Sequence, residues 1–119
     1  MAEFNVATRE DSFVNVIDLK GYLDAHTAPE LENVFTKLLD EKKYKVVVNL
    51  EKLNYISSAG LGVFMAYIEP MRTNNGDIKF SNLSPKVYNI FDLLGFPVLY
   101  EFYKEEREAI LKFNQKSAD

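Results

Sequence analysis

The residues best suited to chemistry form one short block, Ser57-Ser58-Ala59-Gly60-Leu61-Gly62. An apolar run precedes it, and an amphipathic segment follows. The spacing sets Ser58 at the N-cap of a helix. A hydroxyl there lies beside unpaired backbone N–H groups and the positive end of the helix dipole. A phosphate on that hydroxyl would find hydrogen-bond donors already in place. Gly60 and Gly62 leave room for a partner's backbone to come close. The block reads as a phosphorylation site inside a docking surface or, more simply, as a plain capping serine. Ser57 reads as a loop hydrogen-bonding residue or as a second acceptor.

Other chemistries fit less well. Ser58 is not in a G-x-S-x-G elbow, so a hydrolase built on Ser58 and His26 lacks its motif. Gly60 and Gly62 match neither a P-loop nor a dinucleotide fingerprint. His26 is the single histidine and there is no cysteine. That excludes thiolate catalysis, disulfides, cysteine zinc sites and a multi-histidine metal site within one chain. The expectation is a non-enzymatic protein with no cofactor and no metal. Glu105 and Glu106 sit in a mixed-charge segment and read as its solvated face.

Composition narrows the class further. The chain has 119 residues, 47% of them hydrophobic, and a net charge of −4. It is rich enough in apolar residues for a core. Its lysines and arginines are scattered, unlike a nucleic-acid surface. The acidic N-terminal stretch lacks the apolar centre of a signal peptide. No apolar run nears the roughly 18 residues of a membrane span. A single domain over 1–119 is expected, soluble and cytoplasmic, without membrane insertion, its last residues 114–119 a frayed tail.

The elements that must position the serines can be read in order. Residues 4–8 and 13–19 read as two strands joined by a turn over 9–12. Thr27 and Glu30 form a capping-box pattern, with Pro29 in the first turn, and open a helix over 28–41. Asp24 just ahead of it stabilises that turn, or else orients the acceptor hydroxyl and recognises a partner. Residues 45–50 read as a buried central strand. Leu61, Phe64, Met65 and Ile68 are the expected core stripe of the second helix, which Pro70 should bend or end early. Val63, Ala66 and Tyr67 fall off that stripe, as an exposed docking patch. Residues 77–81 read as a strand, Ser84-Pro85 as the start of a third helix, and Gly95 as its stop. Residues 98–103 read as extended and 104–113 as a last amphipathic helix. The order implies an α/β layer: a small mixed sheet of about four to five strands with about four helices against it. The strands around Val46 and Phe80 should be parallel, with a right-handed crossover. The Ser57–Ser58 loop then lies at the carboxyl end of a central strand, where sites in such sheets gather.

Three stretches, GYLDAHTAPELE, VVVNLEKLNYISSAGLGV and LSPKVYNIFDLLGF, together resemble the STAS domain of bacterial anti-sigma factor antagonists. The likeness runs over residues 4–113. One common form of that family reads Asp-Ser-Ser-Gly or Asp-Ser-Thr-Gly in the loop; here Ser57 replaces the aspartate and Ala59 replaces the next hydroxyl residue. The resemblance implies an antagonist that binds an anti-sigma factor, itself a serine kinase, and so frees a sigma factor. Phosphorylation by that kinase releases the antagonist, and a serine phosphatase resets it. By position relative to Gly60-Leu61-Gly62, the acceptor is Ser58, with Ser57 as second choice. The implied partner-binding residues are Asp24, His26, Thr27, Ser57, Ser58, Gly60, Leu61, Gly62, Val63 and Tyr67. The alternative is a STAS scaffold subunit of a lipid-transport or other signalling complex, without a phosphorylation switch.

Overall fold

Alternating stretches of β-branched residues and amphipathic segments resolve, in the computed structural model, into five strands and five helices over the described residues 3–115. Strands β1 (Asn5–Asp11) and β2 (Val14–Leu23) form an antiparallel hairpin. Then follow α1 (Ala28–Asp40), β3 (Lys45–Ile56), α2 (Ser58–Thr73) and β4 (Asp77–Ser81). The chain continues through α3 (Pro85–Leu93), the single turn α4 (Phe96–Leu99), β5 (Phe102–Tyr103) and α5 (Glu106–Asn114). The sheet order is β1-β2-β3-β4-β5, and every pair after the first is parallel. The expected mixed sheet and the parallel pairing of β3 with β4 are therefore present.

Several boundaries differ from the sequence reading. The first turn is not 9–12 but Ser12 and Phe13, both at positive φ (53° and 69°). Arg9, Glu10 and Asp11 stay in the ladder because β1 is an exposed edge that tolerates charge. Strand β3 runs on to Ile56, since Leu53 and Ile56 remain buried against the helix-side core. Pro70 does not end α2. The carbonyl of Ala66 loses its i+4 donor there, but Ala66 is exposed, so water can serve it. The expected extended run over 98–103 is instead α4 followed by a two-residue strand. Gly95, at φ 77°, reverses the chain so that Phe96 turns inward and is buried. Leu94, the C-cap of α3, is exposed. The frayed tail expected at 114–119 falls mostly outside the described residues. Asn114 and Gln115 lie within them, and Asn114 donates to the Ser12 carbonyl at 3.0 Å.

Helices α1 to α4 cover one face of the sheet. Their core centres on Phe35, Phe64, Phe80 and Phe91, all fully buried. Phe64 meets Phe80 edge to face, with centroids 4.9 Å apart. On the other face α5 packs Ala109 and Ile110 over Val14, Val16 and Val47. Lys79 is buried beneath α5, paired with Asp77 (3.1 Å) and Glu101 (3.0 Å) and lying 4.7 Å from the Phe113 ring centre.

The start of α5 is fixed by a local cap and by polar contacts from distant strands. Glu105 and Glu108 form a reciprocal capping box. Glu106 accepts from Arg9 of β1 and from Asn49 of β3, the latter at 2.9 Å, and Arg9 also grips Asp18 at 2.8 Å. The Glu105–Glu106 pair is thus a cap and an ion-pair anchor, not a solvated face. The hydrogen bond from Arg9, and then that from Asn49, hold the Glu106 carboxyl below its ordinary range. A carboxyl lowered in the folded state stabilises fully above the unfolded value, and that contribution is lost as pH falls through the folded value. The urea midpoint should therefore drop as pH falls below the ordinary glutamate range of about 4.3. Glu106→Gln should lower the midpoint at neutral pH and flatten this acid limb. An unchanged acid limb would show that the Arg9 contact contributes nothing.

Candidate functional site

Because β2 and β3 run parallel, both end at the same edge of the sheet, and Leu23 sits opposite Ile56. One hydrogen bond closes the gap between the loops that follow: Ser57 N–H donates to the Leu23 carbonyl at 2.9 Å. The turn over 24–27 and the start of α2 thus form one surface.

The turn is built from its own side chains. Asp24 Oδ1 accepts from the His26 and Thr27 amides at 2.9 and 3.1 Å. Thr27 Oγ1 accepts from the Asp24 amide and donates to the Tyr22 carbonyl, both at 2.9 Å. Thr27 stands at the N-cap of α1 but makes no side-chain cap, so the expected capping box is absent. Its hydroxyl is already committed to the turn. Asp24 uses one carboxylate oxygen as an Asx turn. His26 is exposed at the outside of that turn.

At α2 the cap falls one residue earlier than the sequence suggests. Ser57 is the N-cap, extended at φ −97° and ψ 173°, and its Oγ accepts from Gly60 N at 3.4 Å. Ser58 is the first helical residue and is exposed. The shift follows from Ser57 N being spent on the Leu23 carbonyl, which holds Ser57 in extended geometry while its hydroxyl turns to the helix. Ser58 is therefore relieved of a capping duty and presents its hydroxyl outward at the first turn.

The two glycines do different work. A Cβ on Gly60 would lie 2.8 Å from Leu23 Cγ and 3.0 Å from the Leu23 carbonyl oxygen. Gly60 is buried packing between α2 and the strand ends, not an opening for a partner. Gly62 faces open space, with nothing within 4 Å of an added Cβ. Leu61 is buried.

The expected docking patch is misplaced. Val63 is only 4% exposed, and Met65, expected in the core, is 60% exposed. Tyr67 is half-buried: it stacks on Phe35 at 5.2 Å and 13°, and its hydroxyl bonds Thr36 at 3.0 Å. Helix α1 packs on the flank of α2 that carries Val63 and Tyr67, so that flank belongs to the core. The outward face of α2 holds Ser58, Ala59, Met65, Ala66 and Glu69. Met65 lies two turns from Ser58 on a common face. Residue type alone could not expose this, because α2 is apolar nearly all round.

Among the described residues no helix is long and apolar enough to cross a membrane. The family model of the STAS domain matches residues 5–109, and the chain belongs to this family. A relative from Staphylococcus aureus, named an anti-sigma-B factor antagonist, is 32% identical over 88 residues, covering 74% of this chain and 81% of that protein. A crystal structure of an anti-sigma factor antagonist from Mycobacterium paratuberculosis superposes with a TM-score of 0.87 at 19% identity, covering 95% of this chain and 96% of that one. The Bacillus cell fate determinant SpoIIAA in its phosphorylated form superposes with a TM-score of 0.70 at 22% identity, covering 92% and 98%. At those identities the two structures speak for the fold.

The division of labour between the serines is measurable by unfolding. Ser57→Ala removes a cap and should cost about 0.5–1 kcal/mol. Ser58→Ala should stay within about 0.5 kcal/mol of the parent, as for other exposed positions. Urea unfolding of both variants decides it; equal losses, or a larger one at Ser58, would reverse the assignment.

Proposed function

We propose that the chain is an anti-sigma factor antagonist switched by phosphorylation of Ser58. Its unphosphorylated form binds an anti-sigma serine kinase in the cytoplasm, through the turn over 24–27, the first turn of α2 and the outward face of that helix. Binding frees a sigma factor; a serine phosphatase restores the binding form. ATP and magnesium belong to the kinase, and this chain catalyses nothing. The observation that supports this best is the exposed Ser58 hydroxyl at the first position of α2, next to a cap supplied by a different serine. The name of the Staphylococcus aureus relative supports the antagonist part of this reading.

The physical effect of the switch follows from charge. A phosphoserine carries about −1.5 to −2 charges at neutral pH. The first turn of α2, Ser58-Ala59-Gly60-Leu61, holds no charged side chain. The backbone donors and helix dipole steady the phosphate without unfolding the domain. Against a desolvated partner surface the same charge is repelled. A penalty of about 4 kcal/mol weakens binding roughly a thousandfold.

Incubation with the cognate kinase and ATP, followed by mass spectrometry, should place the phosphate on Ser58. Modification confined to Ser57 or elsewhere sinks the assignment. Ser58→Asp should keep the circular dichroism spectrum and lose kinase affinity; intact affinity counts against charge repulsion. Recovery of a transporter ATPase in place of a kinase from cell extracts would favour a scaffold role.

The corrected face of α2 gives a second test. Met65 is the large apolar side chain exposed along that face, so Met65→Ala should cost about 1–2 kcal/mol of kinase affinity with little change in melting temperature. Calorimetric titration and a thermal melt on the same variant separate the two. Unchanged affinity would confine the docking surface to the turn and the helix start.

A further inference from the structure

Helix α5 covers only part of its face of the sheet. It packs over Val14, Val16 and Val47, and among the described residues nothing lies over the portion of β2 and β3 beyond Asp18 and Asn49. There β3 slips twice against β2, between Asp18 and Lys20 and again between Gly21 and Tyr22. Each slip adds one residue to β3, and bulges of this kind re-aim side chains near functional sites. After the slips, Lys20 stands directly opposite Lys52, and Tyr22 directly opposite Tyr55. Leu50, Leu53 and Ile56 point into the helix-side core, so Lys52 and Tyr55 point to the uncovered face.

Two like charges directly opposite in a sheet destabilise it. Among the described residues neither lysine has a carboxylate within 4.0 Å. Arg9 nearby is already held by Asp18 and Glu106. The lysines line a cavity of about 390 Å³ together with Asn5, Asn49, Glu51 and the Arg9–Asp18 ion pair, whose charges offset each other. That volume suits a small ligand. Glu51 carries one uncommitted negative charge against the two of the lysines. One row away, about 7 Å along the strands, the tyrosine rings are exposed, with centroids 5.9 Å apart and tilted by 44°.

We propose that this uncovered face binds an aryl phosphate: a dianion between Lys20 and Lys52, attached to a flat ring lying on Tyr22 and Tyr55. The site is separate from Ser58 and does not depend on the switch. Titration of the full chain with phenyl phosphate, followed by calorimetry and by amide chemical shifts, tests it. Phenyl phosphate should saturate below about 1 mM, near −4.1 kcal/mol, with shifts centred on residues 18–22 and 49–55. Lys52→Gln should weaken it at least tenfold while leaving the melting temperature unchanged or raised. Tyr55→Leu should weaken phenyl phosphate about tenfold and leave inorganic phosphate unaffected. Absence of saturation, equal affinity for inorganic phosphate, shifts centred on the amides of 57–60, or a lowered melting temperature for Lys52→Gln would each overturn the proposal.

Discussion

The parallel pairing of β2 with β3, closed by the hydrogen bond from Ser57 N–H to the Leu23 carbonyl, governs the candidate site. Parallel strands end on the same side of a sheet, so the loops after them are neighbours without further design. The closing bond turns neighbours into one surface. It fixes Ser57 in extended geometry, which makes Ser57 the cap and leaves Ser58 outward. It also brings α2 so close to Leu23 that only glycine fits at position 60. A side chain at position 60 would lever the helix away from the turn over 24–27 and separate the two halves of the site.

Legibility in the sequence followed the range of the interactions. Ser84-Pro85 opens α3 as read, with Ser84 Oγ accepting from Val87 N at 3.2 Å, because a cap is local. The central apolar run and the parallel crossover were also plain, since a buried strand announces itself by composition. Strand β3 was cut short in the reading because its two bulges break the period-2 alternation of Glu51 to Tyr55. The face of α2 was misjudged because apolar residues surround that helix, and α1 alone decides which flank is covered. Arg9 and Glu106 lie 97 positions apart in sequence, and nothing local marks either as the other's partner.

The two faces of the sheet carry different burdens. The helix-side face holds the aromatic core and so resists change. The α5 face is half covered, and polar groups are distributed along it in order: the buried Lys79 cluster under the helix, the Arg9–Glu106 anchor at its start, then Lys20, Lys52 and the tyrosine pair in the open. Burial therefore grades along the strands from a structural to an accessible environment. The candidate site at the strand ends lies where that gradient meets the helix-side loops.

Strand β1 bounds the sheet on the side away from β5, and its outer row of amides and carbonyls has no partner among the described residues. Such an edge is a template on which another extended chain can assemble. Glu10 and Asp11 place negative charge at one end of it, and like-charged copies repel there. That guard is electrostatic and exposed, so added salt screens it while leaving the strand pairing in place. Two edge carboxylates outside the core thus help to keep copies of this molecule apart.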